Sequence, residues 1–552
     1  MSEGVMVSAL ALVGASLVGL RAWGSGGYAL LLGLGGATLV QAGGGMWYGD
    51  GSAAGVFLHL LGLLTMALAS YVPEYLGHHP KEAPVYAFLV PLFLLAMVGV
   101  AQAPPGLPFL FFWEGMALLG YLLVALEGPK AQAGARAFFL ASRLSGAGLY
   151  LAFLGQGHLG PDWIWAGLLV GFGVKAALFP FHLWLPRAHP VAISPVSALL
   201  SGAMTKLGLY GLFQAQTWFG PPPVWVGFAL VLLGLFGAVY ALVRGLAEED
   251  LKGALAYSSV ENLGLMLAAL GGYFLTGKVL FLGAFFLHQV GHALFKGLLF
   301  LGSGALSERQ VSRLGGLWHR MPLLGGLVLL GMAVGAGLPP GAVFAAEWLL
   351  YQGFLFAPGL LPLGVGALAL VGALALYFYV RLFGLAFLGA PRGNVALHLG
   401  PGMRFGLLVL AVILVGLSLF PQEFLRPLGQ GLYPSWALWV LLALAFGLYR
   451  WLDPRPSRSY GTWDCGFQPL TPRMQPNALG FSEPALRLFP FLRLKVGERP
   501  ELDEPLERVY QGVGEGFGWA TRLVQALQSG SLHFYLLLQL LTLVVVMGVV
   551  LL

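Results

Sequence analysis

Uninterrupted apolar runs of about 18 residues or more recur from one end of this 552-residue chain to the other, and they limit what it can fold into. In hydrocarbon, backbone N–H and C=O groups find partners only within their own segment, so runs of that length cross a bilayer as helices. Composition agrees, with 58% of residues hydrophobic and 9% charged, against about 25% charged in soluble domains. So little charge excludes a soluble enzyme, a disordered chain and a nucleic-acid binder. The single cysteine, Cys465, excludes a disulfide scaffold, a cysteine-ligated iron–sulfur cluster and a Cys-based zinc site. The opening MSEGVMVSAL is acidic where a cleavable signal peptide is basic, so none is expected. The fold class is an all-α polytopic membrane protein with about 16 transmembrane helices.

The basic residues test that count. Of 29 Lys and Arg, 22 fall in connections that follow odd-numbered spans, two (Lys278 and Arg426) follow even-numbered spans, and five lie inside spans. A miscounted helix would scramble this asymmetry, and the excess of Lys and Arg predicts that the odd side is cytoplasmic. Residues 450–530 hold 19 of the 52 charged residues and read as a cytoplasmic arm ahead of the last span. Within the arm, 507–528 is suited to an amphipathic surface helix or to docking a partner. Cys465, flanked by Trp463, Asp464 and Phe467, is expected there as a free thiol.

Ionisable groups in hydrocarbon cost several kcal/mol and mark function. Arg143, Lys175, Lys206, Lys296 and Arg381 fall inside spans, as do Glu114, Glu261 and Glu347. His288, His292 and Lys296 follow one another at four-residue spacing, a stripe of about 12 Å on one helix face. Pro180 with Pro186, and Pro339 with Pro340, interrupt two long runs beside Lys175 and Glu347. Proline breaks the helical ladder, and broken helices at membrane depth line polar cavities. Other readings stand beside proton transfer: snorkelling for Lys278 and Arg381, a metal shared by His288 and His292, and a static ion pair at Glu114. No carboxylate or Cys stands at matching spacing to complete a metal site, so none is expected. No haem, P-loop, Rossmann or nucleophile-elbow motif occurs, so no catalytic residue or cofactor is expected in this chain.

The runs VKAALFPFHLWLPRAHPVAISPVSALLSGAMTKLGLYGL, FFWEGMALLGYLL, EDLKGALAYSSVENLGLML, FFLHQVGHALFKGLLFLGSGAL and LPPGAVFAAEWLLYQ together span about residues 85–390. They resemble the antiporter-like proton-channel subunits of respiratory complex I, membrane-bound hydrogenases and multisubunit cation/proton antiporters. AYSSVEN and the segment TWDCGFQPLTPRMQPNALGFSEP resemble the hydrogenase 4 component B and formate hydrogenlyase branch. The resemblance implies two inverted five-helix repeats, 85–216 and 223–388, each with one broken helix. They would be flanked by N-terminal spans in 1–84, further spans in 389–449, the arm 450–530 and a last span in 531–552. It implies that Glu114 and Lys175 act as a coupled pair, that Lys206, His288, His292 and Lys296 carry protons across the middle, that Glu261 takes part in the second repeat, and that Glu347 is the exit residue. Arg143 stands where related hydrogenase subunits tend to have a polar residue or His, and with Arg381 is a candidate modulator.

The expected function is a proton-translocating membrane subunit of a redox-driven complex, in a prokaryotic inner membrane. Its partners would be other membrane subunits and peripheral subunits that hold the redox centres. The alternatives are a sodium/proton antiporter subunit and a membrane scaffold for redox partners.

Overall fold

The computed structural model describes residues 3–22, 24–393, 395–429, 435–452 and 471–492, with scattered positions between 508 and 522. Met1–Glu501 forms one compact unit and Leu502–Leu552 a second; the description below concerns the first. Cys465 and its flanks, the span 531–551 and most of 507–528 lie outside the described residues.

Apolar sequence becomes helix throughout. Three helices, α1 (Glu3–Ala22), α2 (Gly26–Asp50) and α3 (Ala53–Leu76), precede the first five-helix unit. That unit comprises α4 (Ala83–Gln102), α5 (Leu107–Ala125), α6 (Gln132–Gly155), a broken span of α7 (Pro161–Lys175) and α8 (Trp184–Ala188), and a long helix of α9 (Ser194–Leu199) and α10 (Thr205–Phe219). The second unit repeats the order: α11 (Val224–Leu246), α12 (Leu251–Thr276), α13 (Val279–Ser303), the short α14 (Leu317–Arg320), a broken span of α15 (Pro322–Gly335) and α16 (Ala342–Leu355), and α17 (Gly364–Phe387). After it come α18 (Pro401–Leu419), the short α19 (Pro421–Leu425), α20 (Ser435–Leu452) and the surface helix α21 (Ala478–Leu486). Twelve of these segments are long and apolar enough to cross a membrane unbroken. Among the described residues β pairing is limited to two isolated bridges.

Both expected breaks are present, and they are built alike. After α7, the N–H groups of Ala176, Ala177 and Leu178 donate to the carbonyls of Phe172, Val174 and Gly173. After α15, Ala336, Gly337 and Leu338 donate to Met332, Val334 and Ala333, the same pattern 160 residues on. A left-handed residue sits at the same place in each, Ala177 at φ 52° and Gly337 at φ 63°. This shared construction ties the two units together as repeats more firmly than helix order alone.

The connections sort onto two faces as the alternation of spans requires. On the odd face, Arg309 donates to the Pro190 carbonyl and Lys252 to that of Ala192. Asp250 pairs with Gln310 and Leu306 with Leu397. Glu74 caps the first turn of α18 through the N–H groups of Gly402 and Met403, at 2.5 and 3.1 Å. On the even face, Trp225 donates to Asp162 at 2.7 Å and Lys278 to the Phe356 carbonyl. Within the arm, Gln475 makes paired hydrogen bonds of 2.8 Å with the backbone of Ala390, so this piece meets an odd-face connection.

Packing between α11 and α12 depends on the missing side chains of Gly234 and Gly264, where an added Cβ would lie 2.5 and 2.4 Å from the opposing glycine carbonyl. Small residues of this kind let membrane helices approach closely. The close approach carries α12, completely buried over its membrane window, into the middle of the molecule.

The second break supplies a prediction. At Gly337 a Cβ would be strained and would stand 2.4 Å from Glu347 Oε2. Gly337→Ala is expected to lower stability by about 1–2 kcal/mol, whereas Ala177→Gly, which relieves the same conformation in the first break, leaves stability unchanged or raises it. Thermal unfolding of the two purified variants checks the contrast; equal melting temperatures would contradict it.

Candidate functional site

The ionisable groups of the first repeat gather where α5, α6 and α7 meet. Lys175 is the last residue of α7, next to the break, and is buried. Its Nζ donates to Ser142 Oγ at 2.7 Å and lies 4.7 Å from the centre of the Phe138 ring. Glu114, on α5, accepts a hydrogen bond from Arg143, the neighbour of Ser142 on α6. The direct partner of Glu114 is therefore Arg143, not Lys175. The ion pair is 27% and 21% exposed at its two side chains, and it opens onto a lateral cleft of about 630 Å³ otherwise lined mainly by Leu107, Leu110, Phe111, Leu118 and Phe139.

At the centre, the long helix of α9 and α10 contains one π-helical turn, Leu200–Met204. Such turns interrupt regular helices at functional sites. Here the turn leaves the Ser201 carbonyl to accept from Lys206 Nζ at 2.7 Å. The same ammonium lies 2.5 Å from His292 Nδ1. Lys206 belongs to the first repeat and His292 to the second, so this contact joins the two.

From there the polar groups continue along α12 and α13. Lys296 donates to the Leu255 carbonyl at 2.8 Å and to Ser258 Oγ. His288 Nε2 is 2.8 Å from Asn262 Oδ1, and Asn262 in turn donates to the carboxylate of Glu261. The histidine–lysine stripe is thus divided: His288 and Lys296 face α12, while His292 reaches back to α10. In the second broken span Glu347 lies against Gly337. Lys206, His292, Lys296 and Glu261 are all 0–1% exposed.

Arg381 is fully buried and does not snorkel. It donates to the Glu248 carbonyl at 3.1 Å and so ties α17 to the connection before α12. Lys278 reaches the even face as expected. His288 and His292 take separate partners, and among the described residues no group of three or more His, Cys, Asp and Glu is placed to hold a metal.

Sequence reasoning overlooked the neutral partners. Ser142 and Ser258 accept from Lys175 and Lys296, Asn262 links His288 to Glu261, and the hydroxyls of Ser201 and Ser259 meet at 2.9 Å across the helices. A cue was available in AYSSVEN, where three small polar residues interrupt an apolar span within five positions. His182 and His189 were overlooked as well, although they follow Lys175 at intervals of seven.

Residues 106–366 match the family described as NADH:quinone oxidoreductase/Mrp antiporter, TM. Hydrogenase-4 component B of Escherichia coli is 31% identical over 582 aligned residues, which cover 87% of this chain and 84% of the relative. The chain belongs to this family. Formate hydrogenlyase subunit 3 of the same organism is 33% identical over 61% of this chain and 62% of its own length. Among solved structures, the membrane-bound sulfane sulfur reductase, an archaeal respiratory membrane complex, contains a chain of the same fold. Its TM-score is 0.77, with 19% identity over 99% of this chain and 100% of that one.

The Glu114–Arg143 pair is directly testable. Glu114→Gln and Arg143→Gln each leave one charge unpaired and are expected to lose on the order of 2 kcal/mol, with much of the loss recovered in the double variant. Thermal unfolding of the assembled complex reads the coupling, and strictly additive losses would show that the pair does not act as a unit.

Proposed function

We propose that this chain is a proton-translocating membrane subunit of a redox-driven complex, of the kind in which hydrogenase-4 component B and formate hydrogenlyase subunit 3 take part. The observation that carries the reading is the Lys206–His292 contact. It links ionisable side chains of two repeats in the middle of the membrane, with Lys175 and Ser142 on one side and Lys296, Ser258, Asn262 and Glu261 on the other. A lysine held by neutral acceptors has no salt-bridge partner that fixes its proton in place. A nearby charge, such as Glu114 against Lys175, then sets whether the proton stays or moves on.

Electrons travel elsewhere, in partner subunits that hold the redox centres. The lateral cleft at Glu114 and Arg143 supports a neighbouring membrane subunit there, since an ion pair facing lipid is expensive. The odd face, rich in Lys and Arg, is the cytoplasmic one, and the arm 450–530 belongs with it.

The test is redox-linked proton uptake by the complete complex in liposomes. Lys175→Ala is expected to leave assembly and electron transfer in place while proton uptake falls by about tenfold or more. Uptake at the parental rate would make Lys175 structural. Uptake that depends on sodium would favour an antiporter subunit instead.

A further inference from the structure

Buried polar groups are nearly always hydrogen-bonded, so an exception calls for a cause. His189, in the connection after α8, is 0% exposed, and among the described residues neither of its ring nitrogens has a hydrogen-bond partner. Its ring stacks on Phe300 at a centroid distance of 4.5 Å and an interplanar angle of 17°. Phe300 stands one turn beyond Lys296 on α13, toward the odd face.

On that face lies a cavity of about 400 Å³, lined in part by Glu127, Ser194, Lys252, Ser303 and Arg309. Lys252 is itself buried and donates to the carbonyl of Ala192, three residues after His189. Along α12, the groups that hold Lys296 lie one and two turns deeper than Lys252. Leu255 and Ser258 are about 4.5 and 9 Å further along the axis. An imidazole whose nitrogens have no hydrogen-bond partner among the described residues, stacked one turn from Lys296 and three residues from the carbonyl that holds Lys252, has the placement that a relay requires.

We propose that His189 passes protons from the odd-face cavity, by way of Lys252, to Lys296 and Lys206 at the centre of the membrane. This inference rests on the proton-translocating reading above. The Lys252 ammonium gives a proton to one ring nitrogen, and the opposite nitrogen gives its proton to the amine of Lys296. A change of tautomer then resets the ring. No electron moves, and one proton is gained for each one passed on. Phe300 holds the ring plane, so it positions the relay without taking part in transfer.

The experiment uses the complete complex in liposomes, with electron transfer and proton uptake measured separately. His189→Phe preserves an aromatic ring against Phe300 and removes both nitrogens. It is expected to retain assembly and electron transfer while proton uptake falls by about tenfold or more, and Lys252→Met to do the same. In His189→Ala, added imidazole is expected to restore part of the uptake, an effect that a purely structural histidine would not show. Parental uptake in His189→Phe, or no response of His189→Ala to imidazole, would overturn the proposal. Should the parent complex itself move no protons, the proton-translocating reading fails; should the parent pump and His189→Phe pump equally, this inference fails alone.

Discussion

The hydrogen bond between Lys206 and His292 is the contact on which the rest of the arrangement depends. Hydrocarbon offers a charge nothing, so every ionisable group brought into the membrane must find its partner within the protein. For its central lysines the chain meets that demand largely with neutral groups. Serine hydroxyls, backbone carbonyls and one asparagine receive lysines and a histidine, and the ion pair of Glu114 with Arg143 stands at the lateral edge. Neutral acceptors solvate a proton carrier without trapping it, whereas a tight buried ion pair would hold the proton in place.

Helix irregularities supply the geometry. The π turn at Leu200–Met204 frees a carbonyl for Lys206. The two breaks end their half-helices with the same hydrogen bonds, one beside Lys175 and the other beneath Glu347. Each departure from regular helix lies beside an ionisable side chain, and at the π turn the Ser201 carbonyl accepts from that side chain directly. The glycine contacts between α11 and α12 complete the design by bringing the polar face of α12 close to both repeats.

Much of this was legible in the residues. The spans up to residue 452 follow from apolar runs, the faces from the alternation of basic connections, and the breaks from proline pairs. Ionisable residues in apolar runs stand out by their rarity, which is why Lys175, Lys206, Lys296 and Glu347 could be named in advance. Their partners could not. A serine in a transmembrane helix is common, and only the folded structure shows that Ser142 takes Lys175 while its neighbour Arg143 takes Glu114. The division of the stripe, with His292 turning to α10 and its neighbours to α12, depends on helix rotation that a four-residue spacing leaves open. The π turn at Leu200–Met204 has no proline pair to announce it.

The most direct measurement is the number of protons taken up per electron transferred by the reconstituted complex carrying Lys206→Met, His292→Phe or both. If protons cross between the repeats through this contact, each single variant loses most of the ratio and the double variant loses no more than either. A double variant that keeps the parental ratio would contradict the account, because protons would then cross without the ionisable side-chain contact between the two halves.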